Sequence, residues 1–222
     1  MSVDPAWKGL YKAGGSSYLI VGVLYIISFV LLIILGPPPS TGEAYLKSAP
    51  PLQTLVLIWA SVDILLIPSV LGLYLALKEL NKTHMLIATG LWGVAIPADL
   101  ATLGLFFSLV PLGRAYAAAT ADAQRAAYVA AADLTVGATN AGFTLGFFLF
   151  GFAILIQSMA MLKGVFSKAT AYLGIVTGIL SLVAGVGFAT VPALGIFPLI
   201  WFILLGIWWL LVGSKLYKLG RR

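Results

Sequence analysis

Six stretches of the chain are apolar at nearly every position: Ser16 to Leu35, Leu52 to Leu77, Met85 to Val110, Ala138 to Leu162, Ala169 to Thr190 and Ile196 to Val212. The hydrocarbon core of a bilayer is roughly 30 Å thick, so about 20 such residues make a spanning helix. None of the six alternates apolar and polar residues with the period of two that a barrel strand requires, and each is longer than such a strand. The pattern predicts an all-α, polytopic transmembrane bundle of six spans. Composition points the same way. With 61% hydrophobic and 9% charged residues, the chain is built to be solvated mostly by lipid, as a multi-pass protein of the cell membrane.

Charge adds an orientation. Lys8 and Lys12 precede the first span, Lys78 and Lys82 join spans two and three, Lys163 and Lys168 join four and five, and Lys215, Lys218, Arg221 and Arg222 follow the last. These are ten of the 13 basic residues, and short basic loops are retained in the cytoplasm during insertion. Both termini are therefore expected to be cytoplasmic. The net charge of +6 reports topology, because the charges are dispersed over short loops and form no stripe that would bind nucleic acid.

The segments between spans predict one transmembrane domain over residues 1–222, since no linker is long enough to join a second. Residues 1–15 read as an interfacial N-terminal segment, with Asp4 capping a helix and Pro5 in its first turn; a plain extension of span one is the alternative. This start lacks the small-residue cleavage pattern of a secretory signal. The stretch "GPPPSTGEAYLKSAPP" opens and closes with prolines and reads as a stiff extended path. Residues 113–134, rich in alanine and carrying Arg114, Asp122, Arg125 and Asp133, read as an outer helix, either a lid over the bundle or an extension of span four. "VPALG" between spans five and six predicts a tight hairpin. Trp201, Trp208 and Trp209 are expected as interfacial anchors and lipid-facing bulk.

Absences narrow the chemistry. A chain without cysteine has no disulfide, thiolate nucleophile or thiolate metal site. Its single histidine, His84, lies in the loop "KELNKTH". Histidine-ligated haem, zinc held by several imidazoles and a Ser-His-Asp hydrolase all need imidazoles inside the bundle. No lysine lies mid-membrane for a Schiff base, and no Gly-rich phosphate loop is present. No catalytic residue, cofactor or metal site is expected. An enzyme built on carboxylates alone stays open.

Those carboxylates are Asp63 in span two and Asp99 in span three, each eighteen residues from Asn81 at the centre of the connecting hairpin. Antiparallel neighbours would hold them at one depth, roughly 20 Å from the cytoplasmic interface and somewhat outside the midplane. A carboxylate facing lipid costs about 2.5 to 3.5 kcal/mol on insertion scales, so both should face inward. Without an intramembrane Lys or Arg to pair them, at least one is expected to carry a proton. Pro68 and Pro97 each free a backbone carbonyl one turn earlier. Those carbonyls, the two carboxyls, Ser61, Thr102, Asn140 and Thr144 would together line a small polar cavity; the alternative is that the aspartates are structural hydrogen-bonding glue.

Small residues mark close helix contacts in lipid, where packing supplies the attraction between helices. Span five carries Gly174, Gly178, Ser181 and Gly185 as one stripe, and span four carries Gly142 and Gly146 at four-residue spacing. They suggest a central position or a subunit interface.

The segments "YKAGGSSYLIVGVLYIIS", "LGLYLALKELNK" and "MLKGVFSKATAYLGIVTGILSLVAG" resemble a family of uncharacterised six-span membrane proteins of bacteria and archaea, known as a domain of unknown function. The resemblance implies fold and membrane location, and carries no site residues with it. Two function classes are expected. One is a non-catalytic accessory, scaffold or lipophilic-ligand-binding module, with the lipid bilayer and either a second copy or another membrane protein as partners. The other is a proton- or cation-coupled carrier of a small solute using Asp63 and Asp99, although no inverted repeat relates spans one to three to spans four to six.

Overall fold

A computed structural model describes residues 4–36, 39, 41–190 and 197–221, and for residues 48–52 and 188–190 it describes the backbone alone. Every regular element among them is helical. After a single 3₁₀ turn at Pro5–Trp7 come α1 (Lys8–Leu35), α2 (Gly42–Leu77), α3 (Lys82–Phe107), α4 (Leu109–Ala118), α5 (Asp122–Met161), α6 (Lys168–Thr190) and α7 (Phe197–Arg221). Six helical segments are long and apolar enough to cross a membrane, with α3 and α4 counting as one. Their outward faces carry large apolar side chains such as Ile34, Ile64, Leu86 and Val94, each more than half exposed. Such a surface is stable against lipid and not against water.

The spans close into a ring. α1 packs on α2 and α7, α3 on α2 and α5, and α6 on α5 and α7, while α2 also reaches across to α5. The tightest seam is α1 against α7, and glycine makes it. A Cβ added to Gly15 would lie 2.4 Å from the backbone nitrogen of Tyr217, and one on Gly213 would lie 2.9 Å from the carbonyl oxygen of Gly15. Gly22 meets Gly206 one step farther along, and Gly220 meets Lys8 and Lys12 one step back. Each seven-residue step along α7 (206, 213, 220) is matched by a seven-residue step along α1 (22, 15, 8). Two antiparallel helices thus keep their backbones in contact over their whole shared length.

That seam explains a departure from the sequence reading. Trp201, Trp208 and Trp209 are not lipid-facing anchors: all three are at most 2% exposed. With Leu205, Val212 and Leu216 they form the inward stripe of α7, whereas Ile203, Ile207 and Leu211 face lipid. The indoles fit because their neighbours are small, as at Gly174, whose added Cβ would lie 2.3 Å from Trp208 Nε1.

Asp4 caps the first turn as expected, its Oδ1 accepting from the Ala6 amide at 2.9 Å. The chain then runs directly from that turn into α1. Asn81 is more than the hairpin centre: its side chain caps α3 by accepting from the His84 amide at 3.0 Å, and it also contacts the His84 ring.

The end of the bundle far from the termini is closed by helix. α2 begins at Gly42, so the second half of the proline-bounded stretch is helical and not extended; residues 37, 38 and 40 lie outside the described residues, as does "VPALG" at 191–195. Thr41 Oγ1 accepts from the Ala44 amide, and Asp133 of α5 accepts from the Gly42 amide at 2.6 Å, giving this helix start a cap from its own chain and one from across the fold. Burial of Tyr45 and Leu46 against Val56, Leu103, Phe106, Leu109 and Ala132 holds the segment helical. The alanine-rich region is two helices and not one: α4 ends at Ala118, α5 starts at Asp122, and Arg125 Nε donates to the Ala119 carbonyl across the break. α5 is a continuous extension of span four, and its first turns, with α4 and the start of α2, form the closure.

Glu43 sits in this closure. Its carboxylate accepts from Tyr116 at 2.8 Å and pairs with Lys47 at 2.8 Å. These contacts, the Lys47 hydrogen bond foremost and Tyr116 next, hold Glu43 below its ordinary carboxylate range. A lowered carboxylate stabilises above its unfolded value, and that contribution is lost as pH falls through the folded value. Amide exchange of residues 42–46, corrected for intrinsic rate, is therefore expected to quicken on acidification in the wild type. In Glu43→Gln it should show no such step.

Candidate functional site

The expectation that Asp63 and Asp99 share a depth follows from hairpin geometry, and the structure brings the two together. Their carboxyl groups are side-chain neighbours within hydrogen-bonding reach across the α2–α3 contact. Asp63 is 3% exposed, and its Oδ2 is enclosed without a hydrogen-bond partner among the protein groups. Asp99 lies between Asp63 and α5: an added Cβ on Gly146 would stand 3.5 Å from Asp99 Oδ1, and one on Gly142 would stand 2.2 Å from Thr102 Oγ1. The Gly142–Gly146 pair thus has a specific use. It opens the face of α5 on which the Asp99–Thr102 turn of α3 rests. A hydrogen bond between two carboxyls requires that one of them carry a proton.

The other polar candidates divide by helix face. Thr102 is buried one turn beyond Asp99, with its hydroxyl donated to the Ala98 carbonyl at 2.9 Å. Ser61, Asn140 and Thr144 do not join the site. Ser61 lies two residues from Asp63, and Asn140 and Thr144 each lie two residues from Gly142. On an α-helix a two-residue step turns the side chain about 200° to the opposite face. Ser61 is exposed, donates to the Leu57 carbonyl at 2.8 Å and lines a shallow lipid-side groove with Leu24, Thr54 and Ile58. Thr144 donates to the Asn140 carbonyl at 2.9 Å on the outward face of α5. Pro97 fails as a contributor for the same reason. It is two residues from Asp99 and exposed, and the carbonyl it frees belongs to Gly93 on that outward side.

The remaining glycine stripe packs α6 on α5. Gly178 meets the Gly151 carbonyl and Leu155, Gly185 meets Phe147 and Phe148, and Ser181 Oγ donates to the Phe147 carbonyl at 2.7 Å. Gly174 meets Ser158 and Trp208. The stripe is used inside the bundle.

Three features of the site escape sequence reasoning. Tyr25 of α1 is buried with its hydroxyl in electrostatic reach of both aspartates. Its ring stacks on Phe202 at 4.6 Å and meets Trp209 edge-on at 4.7 Å. Trp59, one turn from Asp63 on the same face of α2, joins this group through Phe202 at 6.2 Å and Phe143 at 6.1 Å. An aromatic collar from α1, α2, α5 and α7 therefore lies beside the carboxyl pair, joined to it through Tyr25. Farther along the same α3–α5 contact, toward the end that carries the termini, Trp92 Nε1 donates to Gln157 Oε1 at 3.1 Å, with both residues buried. Gln157 was the legible signal here, since an amide in an otherwise apolar span needs a partner.

A family model, Domain of unknown function (DUF4386), matches residues 13–213. The chain belongs to that family. The matched range takes in the aspartate pair, the collar and most of the α1–α7 seam, so the whole candidate site lies within the DUF4386 domain. No curated protein and no solved structure matches the chain. The family description carries no activity, and the site's chemistry rests on its own geometry.

Proposed function

We propose that this DUF4386 protein is a non-catalytic, membrane-embedded module that binds a small lipophilic ligand at the Asp63–Asp99 pair, with binding linked to the proton the pair shares. The observation that carries the reading is the meeting of two carboxyls without a basic partner, one oxygen of which has no donor, beside an aromatic collar. An intramembrane carboxyl pair is costly to keep unless it is used. A groove of ≈ 270 Å³ between α2 and α3, lined by Val56, Leu57, Ala60, Leu100, Leu103, Gly104 and Phe107, offers such a ligand a lateral approach from lipid beside Asp99. Apolar walls around a few convergent polar groups are the usual make-up of a ligand site.

A proton- or cation-coupled carrier is the second reading, and one observation favours it. Asp63 Oδ2 is an enclosed carboxyl oxygen without a protein donor, the kind of group to which a carried proton or cation would bind.

The test is a thermal-shift screen of the detergent-solubilised protein against lipophilic amines and neutral lipophilic solutes at two pH values. The expected result is a stabilising compound whose effect depends on pH in the wild type, depends on it differently in Asp99→Asn, which keeps shape and hydrogen bonding without titrating at that position, and is independent of pH when Asp63→Asn is added. An unchanged pH response in Asp99→Asn contradicts the reading. The orientation inferred from basic residues has its own check. A cysteine introduced by Lys82→Cys or Lys168→Cys should react with impermeant thiol reagents only from the cytoplasm, and one from Glu43→Cys only from outside, in a chain with no native cysteine to mask. Cytoplasmic labelling of Glu43→Cys would contradict the orientation.

A further inference from the structure

Between the carboxyl pair and the end of the bundle that carries the termini, the core holds polar groups without protein partners. Tyr11, Tyr18 and Tyr25 stand seven residues apart on α1, so they rise on one face in steps of about 10 Å, and all three are buried. Tyr25, the uppermost, lies in electrostatic reach of the aspartates. The hydroxyls of Tyr18 and Tyr11 below it are enclosed with no hydrogen-bond partner among the protein groups. The same holds for Trp208 Nε1 and Ser158 Oγ, which both press on the α6 backbone at Gly174, and for Gln157 Nε2. Tyr18 meets Trp208 edge-on at 6.5 Å, linking the α1 column to this second group. On the far side of the pair the groups without partners are Trp59 Nε1, which packs against the cluster of Tyr45, Leu46, Phe106 and Leu109, and Trp201 Nε1; both are indole donors that cannot pass a proton on, whereas the partnerless hydroxyls among the described residues, Tyr11, Tyr18, Thr89 and Ser158, all lie on the termini side.

Buried hydroxyl, indole and amide groups are rarely left unpaired, and where protein offers nothing, ordered water is the usual partner. We propose that these groups line a hydrated path, and that protons reach Asp63 and Asp99 along it from the end carrying the termini. The inference rests on the proton-linked reading of the pair and gives it a direction. The Tyr and Ser hydroxyls accept one proton while donating another and end each transfer as they began. Trp208 and Gln157 N–H groups donate only, so they orient water and carry no proton onward. A step of about 10 Å exceeds a hydrogen bond of about 2.8 Å, so two or three waters bridge each rung. The path ends at Asp63 Oδ2, the acceptor without a donor. Of the titratable groups facing the pair, α1 supplies Tyr25, and α2 and α3 supply the aspartates themselves. α5, α6 and α7 carry no Asp, Glu, Lys, Arg or His at this depth.

The test is infrared spectroscopy of protein reconstituted in liposomes, following deuterium exchange of the protonated carboxyl C=O stretch after transfer to D₂O. Asp63→Asn and Asp99→Asn assign the band. The expected result is fast exchange in the wild type, slowed at least about tenfold in Tyr18→Phe and in Ser158→Ala, and unchanged in Tyr45→Phe at the far end. Tyr18→Phe keeps the ring that packs against Trp208, and its melting temperature verifies folding. If the pair's band responds to pH but Tyr18→Phe and Ser158→Ala exchange at the wild-type rate, the path is overturned and the proton-linked site stands. If the wild type shows no band that the aspartate variants alter, both are overturned.

Discussion

Replacing Gly15 by leucine is expected to unfold the bundle at temperatures the wild type tolerates, with a loss of about 3 kcal/mol or more, at the upper end of overpacking costs. At this position an added Cβ lies 2.4 Å from a backbone nitrogen and 2.7 Å from a Cα of Tyr217. Backbone in the middle of a helix cannot swing aside as a flexible side chain can, so α1 and α7 must separate. That separation uncovers the Tyr18–Trp208 contact and the aromatic collar together. Gly213→Leu, on the facing helix, should act alike, and the two changes combined should cost less than their sum because the first has already parted the seam. Gly90→Ala is the control. No atom lies within 4 Å of its added Cβ, and alanine is a better helix former than glycine by about 1 kcal/mol, so its melting temperature should hold or rise. Thermal unfolding followed by tryptophan fluorescence reads all four.

The seam was legible in principle. Gly206, Gly213 and Gly220 repeat at seven residues, and so do Gly15 and Gly22, but each series gains meaning only when set antiparallel to the other. Four-residue spacing within a single helix, as in span five, is easier to notice. The depth of Asp63 and Asp99 could be read because a short hairpin ties residue number to depth. Which way a side chain points around its helix was not similarly tied. Ser61, Asn140 and Thr144 matched the site in kind and missed it in azimuth. The tryptophans of α7 were misplaced for a different reason. Their place is set by the small surface opposite them, at Gly174 and along α1, and not by the preference of indole for the membrane interface. Closure of the far end depends on Asp133 capping a helix 91 residues earlier in the chain, a contact that no local pattern announces.

The second large effect concerns the carboxyl pair. When pH rises and the shared proton leaves, two like charges face each other in a low-dielectric interior, and the folded state loses stability on the alkaline side. Asp63→Asn and Asp99→Asn each replace one carboxyl by an amide of the same shape that can still donate to the other, so each variant should fold and lose the repulsion. Asp99→Leu should not behave so mildly. It places a branched apolar group between Asp63 and Gly146 and leaves the Asp63 carboxyl without its neighbour, at a cost of about 2 kcal/mol or more.

The most direct measurement is a double-mutant cycle of Asp63→Asn and Asp99→Asn on thermal stability, from mildly acidic to alkaline pH. If the carboxyls share a proton, the wild type falls in stability as pH rises, the double variant does not, and the single effects miss additivity by about 1 kcal/mol or more at alkaline pH. A wild type whose stability is flat with pH, or single substitutions that simply add, would contradict the pair.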